Sequence, residues 1–147
     1  MAELSEKSQT MLQKSEIILL QEYLPSEYDW RIGVLDNKAL YASKYYMAKG
    51  HWQIYNHGAK SKTQQAGNHE CVSLDEVPDN VMKVALAATK HIGSSLYGVD
   101  IKQLPDGRAV VIEVNDNPSI DGGVEDMVEG DMLYQKILEH FVKLIEA

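Results

Sequence analysis

Apolar and polar positions alternate most regularly in the last third of the chain. Two runs rich in β-branched residues, Tyr97–Leu104 and Arg108–Asn117, flank Pro105, Asp106 and Gly107. An Asp-Gly pair between such runs predicts a β-hairpin. With Asp106 and Gly107 as a two-residue type I′ turn, Pro105 faces Arg108 and Asp100 faces Glu113. Asn115, two residues on, shares that face, while Val99, Ile101, Val110, Ile112 and Val114 fill the other. A type I turn with a glycine bulge is the alternative. It sets Ile112 opposite Asp100, and a second bulge must then bring Glu113 back. The first register sorts the two faces more cleanly.

Upstream, the continuous apolar run Ile17–Leu20 predicts a buried strand ending in Gln21, Glu22, Tyr23 and Leu24, stopped by Pro25 and Ser26. Asp29–Leu35 predicts a strand, Asp36 and Asn37 a turn, and Ala39–Met47 the returning strand of a second hairpin, rich in Tyr41, Tyr45 and Tyr46. Glu3–Lys14 is polar and predicts a short helix or frayed arm over residues 1–15. Lys49–Gly67 is a glycine-containing polar loop with a short strand around Trp52–Tyr55. Pro78, Asp79 and Asn80 open a helix over Val81–His91, with Val81, Val84, Ala85, Ala88 and Ile92 as its apolar stripe and Gly93 closing it. Asp131–Glu146 predicts an amphipathic helix burying Leu133, Ile137, Leu138, Phe141, Val142 and Ile145. The sum is one α+β domain over residues 1–147: an antiparallel sheet of two hairpins and the Ile17 strand, with helices packed on one face.

Composition narrows the partners. The net charge of −8 is unevenly spread: residues 1–70 carry 8 basic and 8 acidic side chains, residues 71–147 carry 6 and 14. An acidic half centred on the hairpin and on Asp121–Asp131 argues against nucleic acid and for a divalent cation. Glu125, Asp126 and Glu129 are expected to be solvated surface carboxylates. No apolar run approaches the ~20 residues that span a membrane, and no signal-peptide plan opens the chain. The single Cys71 fits a reducing cytoplasm and is expected to pack as a small side chain.

The chemistry concentrates on the predicted hairpin. Asp100, Glu113 and Asn115 supply only oxygen, which selects magnesium or manganese, and so small a set suits magnesium that also leans on substrate phosphates. Asp29 and Arg31 share a strand face at spacing two, which a plain ion pair would explain. Gly122 and Gly123 permit close backbone approach, so their N–H groups are candidates to hold a substrate carboxylate, or else form a flexible turn. His51, His57 and His69 are irregularly spaced and fit surface or substrate-facing roles better than zinc.

Gly98-Val99-Asp100, Glu113-Val114-Asn115 and Asn117-Pro118 together resemble the C-terminal metal-binding part of the ATP-grasp ligases, nearest the RimK-like glutamate ligases. Gln21–Leu24, Asp29-Trp30-Arg31 and Gly50-His51-Trp52 fit the same family in the same order, so the resemblance runs from about Ile17 onward. It implies that Asp100, Glu113 and Asn115 hold Mg²⁺ (or Mn²⁺) bridging the phosphates of ATP. It implies that Gln21–Leu24 lie at the adenine and Asp29 near the nucleotide. Arg31 would hold a phosphate or acyl-phosphate oxygen. It also places Gln53, Asn117, Gly122 and Gly123 toward substrate. One departure is visible: the RimK-like ligases carry Arg-Ser-Asn where this chain has Gln53-Ile54-Tyr55, which weakens the expectation of glutamate.

The resemblance further implies a preceding lobe that supplies phosphate-binding lysines. The chain is expected to be the C-terminal lobe of an ATP- and Mg-dependent carboxylate–amine ligase, inactive alone. Its partners are then the N-terminal lobe of the same polypeptide and small-molecule carboxylate and amine substrates, without nucleic acid or membrane. The rival expectations are a non-catalytic nucleotide- or metal-binding regulatory module of the same fold, and a metal-binding interaction domain.

Overall fold

The computed structural model describes residues 2–56, 58 and 66–146. An exposed helix α1 (Ala2–Leu12) leads through an extended segment into strands β1 (Tyr28–Leu35), β2 (Lys38–Tyr46) and β3 (His69–Val72). A single 3₁₀ turn (Leu74–Glu76), helix α2 (Asp79–Thr89), strands β4 (Leu96–Gln103) and β5 (Ala109–Asn115), and helix α3 (Asp131–Glu146) follow. The five strands form one sheet in the order β3-β2-β1-β4-β5, and every pair is antiparallel. The α+β class and the two hairpins are as the sequence predicts.

The β1–β2 turn places both Asp36 (φ 50°) and Asn37 (φ 59°) in the left-handed region, which a two-residue type I′ turn requires and these residue types tolerate. The β4–β5 turn differs from the preferred reading. The Gly107 N–H donates to the Leu104 carbonyl and the Leu104 N–H to the Arg108 carbonyl, and only Gly107 has positive φ, at 84°. This is the type I turn with a glycine bulge: the fixed φ of Pro105 suits its first central position, whereas a type I′ turn needs positive φ at both central residues. The second bulge that this turn demands is present. Ile101 pairs with Val111 and Asp100 with Glu113, so Ile112 is the extra residue. Two shifts cancel, and Asp100 faces Glu113 after all.

The bulge also redistributes the apolar side chains. The core holds Trp30, Ile32 and Val34 of β1, Val99 and Ile101 of β4, and Val81 and Ala85 of α2, with Val111 and Val114 packed against it. Ile112, expected in that core, lines a cavity on the other face instead. The opposite face of β1 and β2 carries a second, smaller cluster, in which Leu133 of α3 meets Leu35, Leu40 and Tyr41. Tyr41 needs a glycine there, because a Cβ on Gly33 would lie 2.2 Å from its ring.

Three expectations fail. Ile17–Leu20 is not a buried strand: no strand of the sheet pairs with it, and Ile17 and Leu19 are 82% and 78% exposed. An apolar run signals a tendency to be covered but does not supply a partner edge. In α3 only Leu133 is fully buried, while Leu138, Val142 and Ile145 face outward; the helix docks by its first turns and then leaves the sheet. Ile92 is exposed because α2 ends at Thr89, before it. Strand β3, a four-residue edge exposed at His69 and Glu70 and buried at Val72, has no counterpart in the predicted elements.

Candidate functional site

Strand pairing aligns one charged stripe on the sheet face away from α2. Arg31 pairs with Asp100, and Asp100 with Glu113, across β1, β4 and β5. Arg31 donates from Nε to Asp100 Oδ1 and from Nη2 to Oδ2, both at 2.8 Å, the two-pronged arrangement that suits a planar guanidinium. This bond holds the Arg31 pKa well above its ordinary value. One step along the strands, Lys102 Nζ lies 2.6 Å from Asp29 Oδ1, and the pair is 12% and 14% exposed. The Ser26 hydroxyl donates to the same carboxylate oxygen at 2.9 Å. Asp29 and Arg31 therefore do not pair along β1; each closes on β4. Lys102 is absent from the sequence-derived candidates, although its place two residues from Asp100 sets it on the same face.

These residues floor a cavity of about 890 Å³. Gln21, Glu22, Tyr23 and Leu24 form one wall, and Gln53, Ile54 and Tyr55 face them. At the rim the Tyr23 and Trp52 rings meet edge to face, 6.2 Å apart. The cavity thus sets aromatic and aliphatic side chains beside the charged stripe of the sheet. With Asp29 and Asp100 neutralised by their partners, Glu113 and Glu22 have no cationic partner among the described residues. Glu113 is exposed and has no hydrogen bond or ion pair among the described residues.

Asn115 lies opposite Gly98 on β4, and its Oδ1 accepts from the Asn117 N–H at 2.8 Å. A Cβ on Gly98 would meet Pro118 at 2.8 Å, so the glycine lets the post-hairpin chain cross close over β4. Gly122 and Gly123 stand beyond that crossing, exposed. The Gly123 N–H is not free for a ligand, because it donates to Asp126 Oδ1 at 2.7 Å.

A smaller cavity of about 140 Å³ adjoins the first across Arg31, Ile54 and Tyr55. Tyr45, His69, Ser119 and Asp121 help to line it. His51 is elsewhere: its Nδ1 accepts from the Gln53 N–H and its ring stacks on Trp52. His57 lies outside the described residues. Glu125 departs furthest from expectation. It is buried at 1% exposure rather than solvated, and accepts from the Tyr45 hydroxyl and, at 2.8 Å, from the Asp121 N–H.

The donor set fits a hard cation. Two carboxylates and an amide oxygen fall short of a full protein cage, and no group of three or more His, Cys, Asp or Glu side chains able to hold a metal gathers among the described residues. An incomplete oxygen set beside a large open cavity suits magnesium, which completes its shell with water and phosphate oxygens.

Solved structures share this fold. The D-alanine–D-alanine ligase from Bacillus anthracis complexed with ATP matches 98% of the chain and 49% of its own, at a TM-score of 0.70 and 21% identity. The ATP-grasp ligase PsnB, complexed with a phosphomimetic variant of its minimal precursor, Mg and ADP, matches 80% of the chain and 34% of its own (TM-score 0.54, 22% identity). The macrocyclase MdnB from Microcystis aeruginosa MRC matches 93% and 44% (TM-score 0.51, 14% identity). The chain spans between about a third and a half of the length of these proteins. No curated protein matches it. The fold is that of an ATP-grasp domain. The chain belongs to an ATP-grasp domain family, the second family of its clade, whose model matches residues 2–122.

Proposed function

We propose that the chain is the metal- and phosphate-holding lobe of an ATP-dependent carboxylate–amine ligase that takes amino-acid or peptide substrates. The observation that carries this is the pairing of Asp100 with Glu113 beside Arg31 on the floor of a nucleotide-sized cavity. Asp100, Glu113 and Asn115 hold Mg²⁺ or Mn²⁺, which neutralises charge on the ATP phosphates when bound. Gln21–Leu24 receive the base beside the aromatic and aliphatic side chains, with Asp29 and its partner Lys102 beneath it. Arg31 exchanges Asp100 for a phosphoryl oxygen.

In the reaction, a substrate carboxylate oxygen attacks the γ-phosphorus and ADP leaves. The substrate amine then displaces phosphate from the acyl phosphate, loses a proton and forms the amide. Arg31 faces both cavities, so its guanidinium reaches the phosphoryl group in the larger and a substrate carboxylate in the smaller. Gln53 lines the larger cavity, while Asn117, Gly122 and Gly123 flank Ser119 and Asp121 of the smaller one without lining it, and would act by freedom of backbone rather than by the Gly123 amide. The order of the motifs supports a RimK-like reading, while Gln53-Ile54-Tyr55 argues against glutamate as the added amine. The reducing cytoplasm is the compartment this chemistry implies.

The reading requires a second lobe to close over the phosphates. The chain alone is expected to bind ATP weakly and to form no ligated product, since half a clamp does not position both reactants. Joined to that lobe, Glu113→Gln should lower ATP turnover by at least about two decades. Ligation by this chain alone, or full turnover in Glu113→Gln, contradicts the proposal. The competing reading, a regulatory module of the same fold, is favoured by the closed Arg31–Asp100 pair, and predicts no turnover with either lobe arrangement.

A further inference from the structure

Among the described residues Glu125 is the one buried acidic side chain, and the ligase reading gives it no work. Its surroundings are built rather than incidental. The Tyr45 hydroxyl donates to Oε1, and the Asp121 N–H donates to Oε2 at 2.8 Å. The Cys71 thiol donates to its backbone carbonyl at 3.4 Å. A buried carboxylate is costly unless its lone pairs are met; here Tyr45 and Asp121 meet them from two separate segments, and Cys71 holds the backbone. The Tyr45 ring lies beneath the Arg31 guanidinium, whose carbon is 5.1 Å from the ring centre. A continuous line of contacts therefore runs from the Asp121 backbone through Glu125 and Tyr45 to Arg31, and from Arg31 to Asp100.

We propose that Glu125 is a positioning residue: it pins the chain at Asp121 to β2 and, through the Tyr45 ring, fixes Arg31, so that both walls of the smaller cavity hold one geometry. This rests on the ligase reading for its purpose, since the two walls so joined are those assigned to substrate and to the phosphoryl group. Its evidence is independent of that reading. The hydroxyl aims Tyr45 as well as satisfying Glu125, and a tyrosine ring held under a guanidinium keeps the cation from turning away from the strand.

The test uses the 147-residue chain with no nucleotide or substrate, so failure of the ligase reading leaves it standing. Glu125→Leu keeps most of the volume and removes the acceptor of both donors. Amide exchange at Asp121 should quicken about tenfold or more, and the ¹⁵N–¹H resonance of Arg31 Nε should move. Asp126→Asn is the control: it perturbs the same loop through Gly123 and Tyr134 without touching Tyr45, and should leave the Arg31 resonance in place. Tyr45→Phe, which retains the ring and loses only the hydroxyl, gives the same pair of readouts should Glu125→Leu fail to fold. An unmoved Arg31 resonance in a folded Glu125→Leu or Tyr45→Phe chain overturns the proposal, as does an equal shift in Asp126→Asn.

Discussion

Arg31 closes on Asp100 through two hydrogen bonds of 2.8 Å and thereby occupies the carboxylate that faces Glu113. In the chain without ligand, the proposed phosphate cation and the proposed metal ligand satisfy each other. Binding magnesium and phosphate together replaces one charge-assisted pair by two.

Arg31→Gln therefore has opposite effects on the two ligands. Removing the guanidinium frees Asp100 and takes a positive charge from beside the metal site, so Mn²⁺ without nucleotide should bind about three- to tenfold more tightly. Affinity for a non-hydrolysable ATP analogue should fall. Electron paramagnetic titration of free Mn²⁺ and calorimetry of the analogue measure the two arms. Weaker Mn²⁺ binding in the variant would show that Arg31 does not compete for Asp100.

Gly33→Ala should destabilise the fold by about 1–3 kcal/mol. The new Cβ would stand 2.2 Å from the buried Tyr41 ring, which has Leu133 and Leu35 around it and little room to move. Urea unfolding measures it, and a change below about 0.5 kcal/mol would mean that the ring repacks freely.

Alkaline stability follows from Tyr45 and Tyr41. Burial first, and then Glu125, raise both phenol pKa values above the ordinary range. Arg31 acts in the opposite direction, and His69 packs against the Tyr45 ring. A folded-state pKa above the unfolded one means that the unfolded chain releases its proton first. The stabilisation is complete below the unfolded value of about 10 and is lost as pH rises beyond it. Melting temperature should fall between about pH 9.5 and 11, less steeply in Tyr45→Phe. Identical slopes would remove Tyr45 from the effect.

The apolar run before β1 offers a direct contrast between expectation and structure. A buried strand at Ile17–Leu20 would make Ile17→Ser cost several kcal/mol, whereas at 82% exposure the change should lie within about ±0.5 kcal/mol. Urea denaturation decides between them, and a loss above about 2 kcal/mol would restore the strand.

What is legible in the sequence is local. Asp36-Asn37 and Asp106-Gly107 mark both hairpins because turn chemistry is written in residues that tolerate positive φ. The preferred reading faces Asp100 with Glu113 through the wrong turn; the alternative turn requires a second bulge, and the bulge at Ile112 leaves no residue signature, so pairing alone exposes it. Lys102 stays hidden because its partner Asp29 lies on a strand 73 residues away. Glu125 is hidden more deeply. Its neighbours Asp126 and Glu129 make an acidic, solvated-looking stretch, and only the fold brings Tyr45 and Cys71 over it. Burial of a charge depends on distant donors, which periodicity does not encode.

The metal is the centre of the account, and Glu113 tests it without involving the rest of the machinery. Glu113 is exposed and unpaired among the described residues, so Glu113→Gln should leave the melting temperature unchanged or slightly raised, one of two facing carboxylates being gone. Mn²⁺ binding, read by the paramagnetic signal of the free ion, should weaken about tenfold or more in the same variant. A Glu113→Gln chain that binds Mn²⁺ as the unchanged protein does would contradict the assignment of Asp100, Glu113 and Asn115 as the metal site.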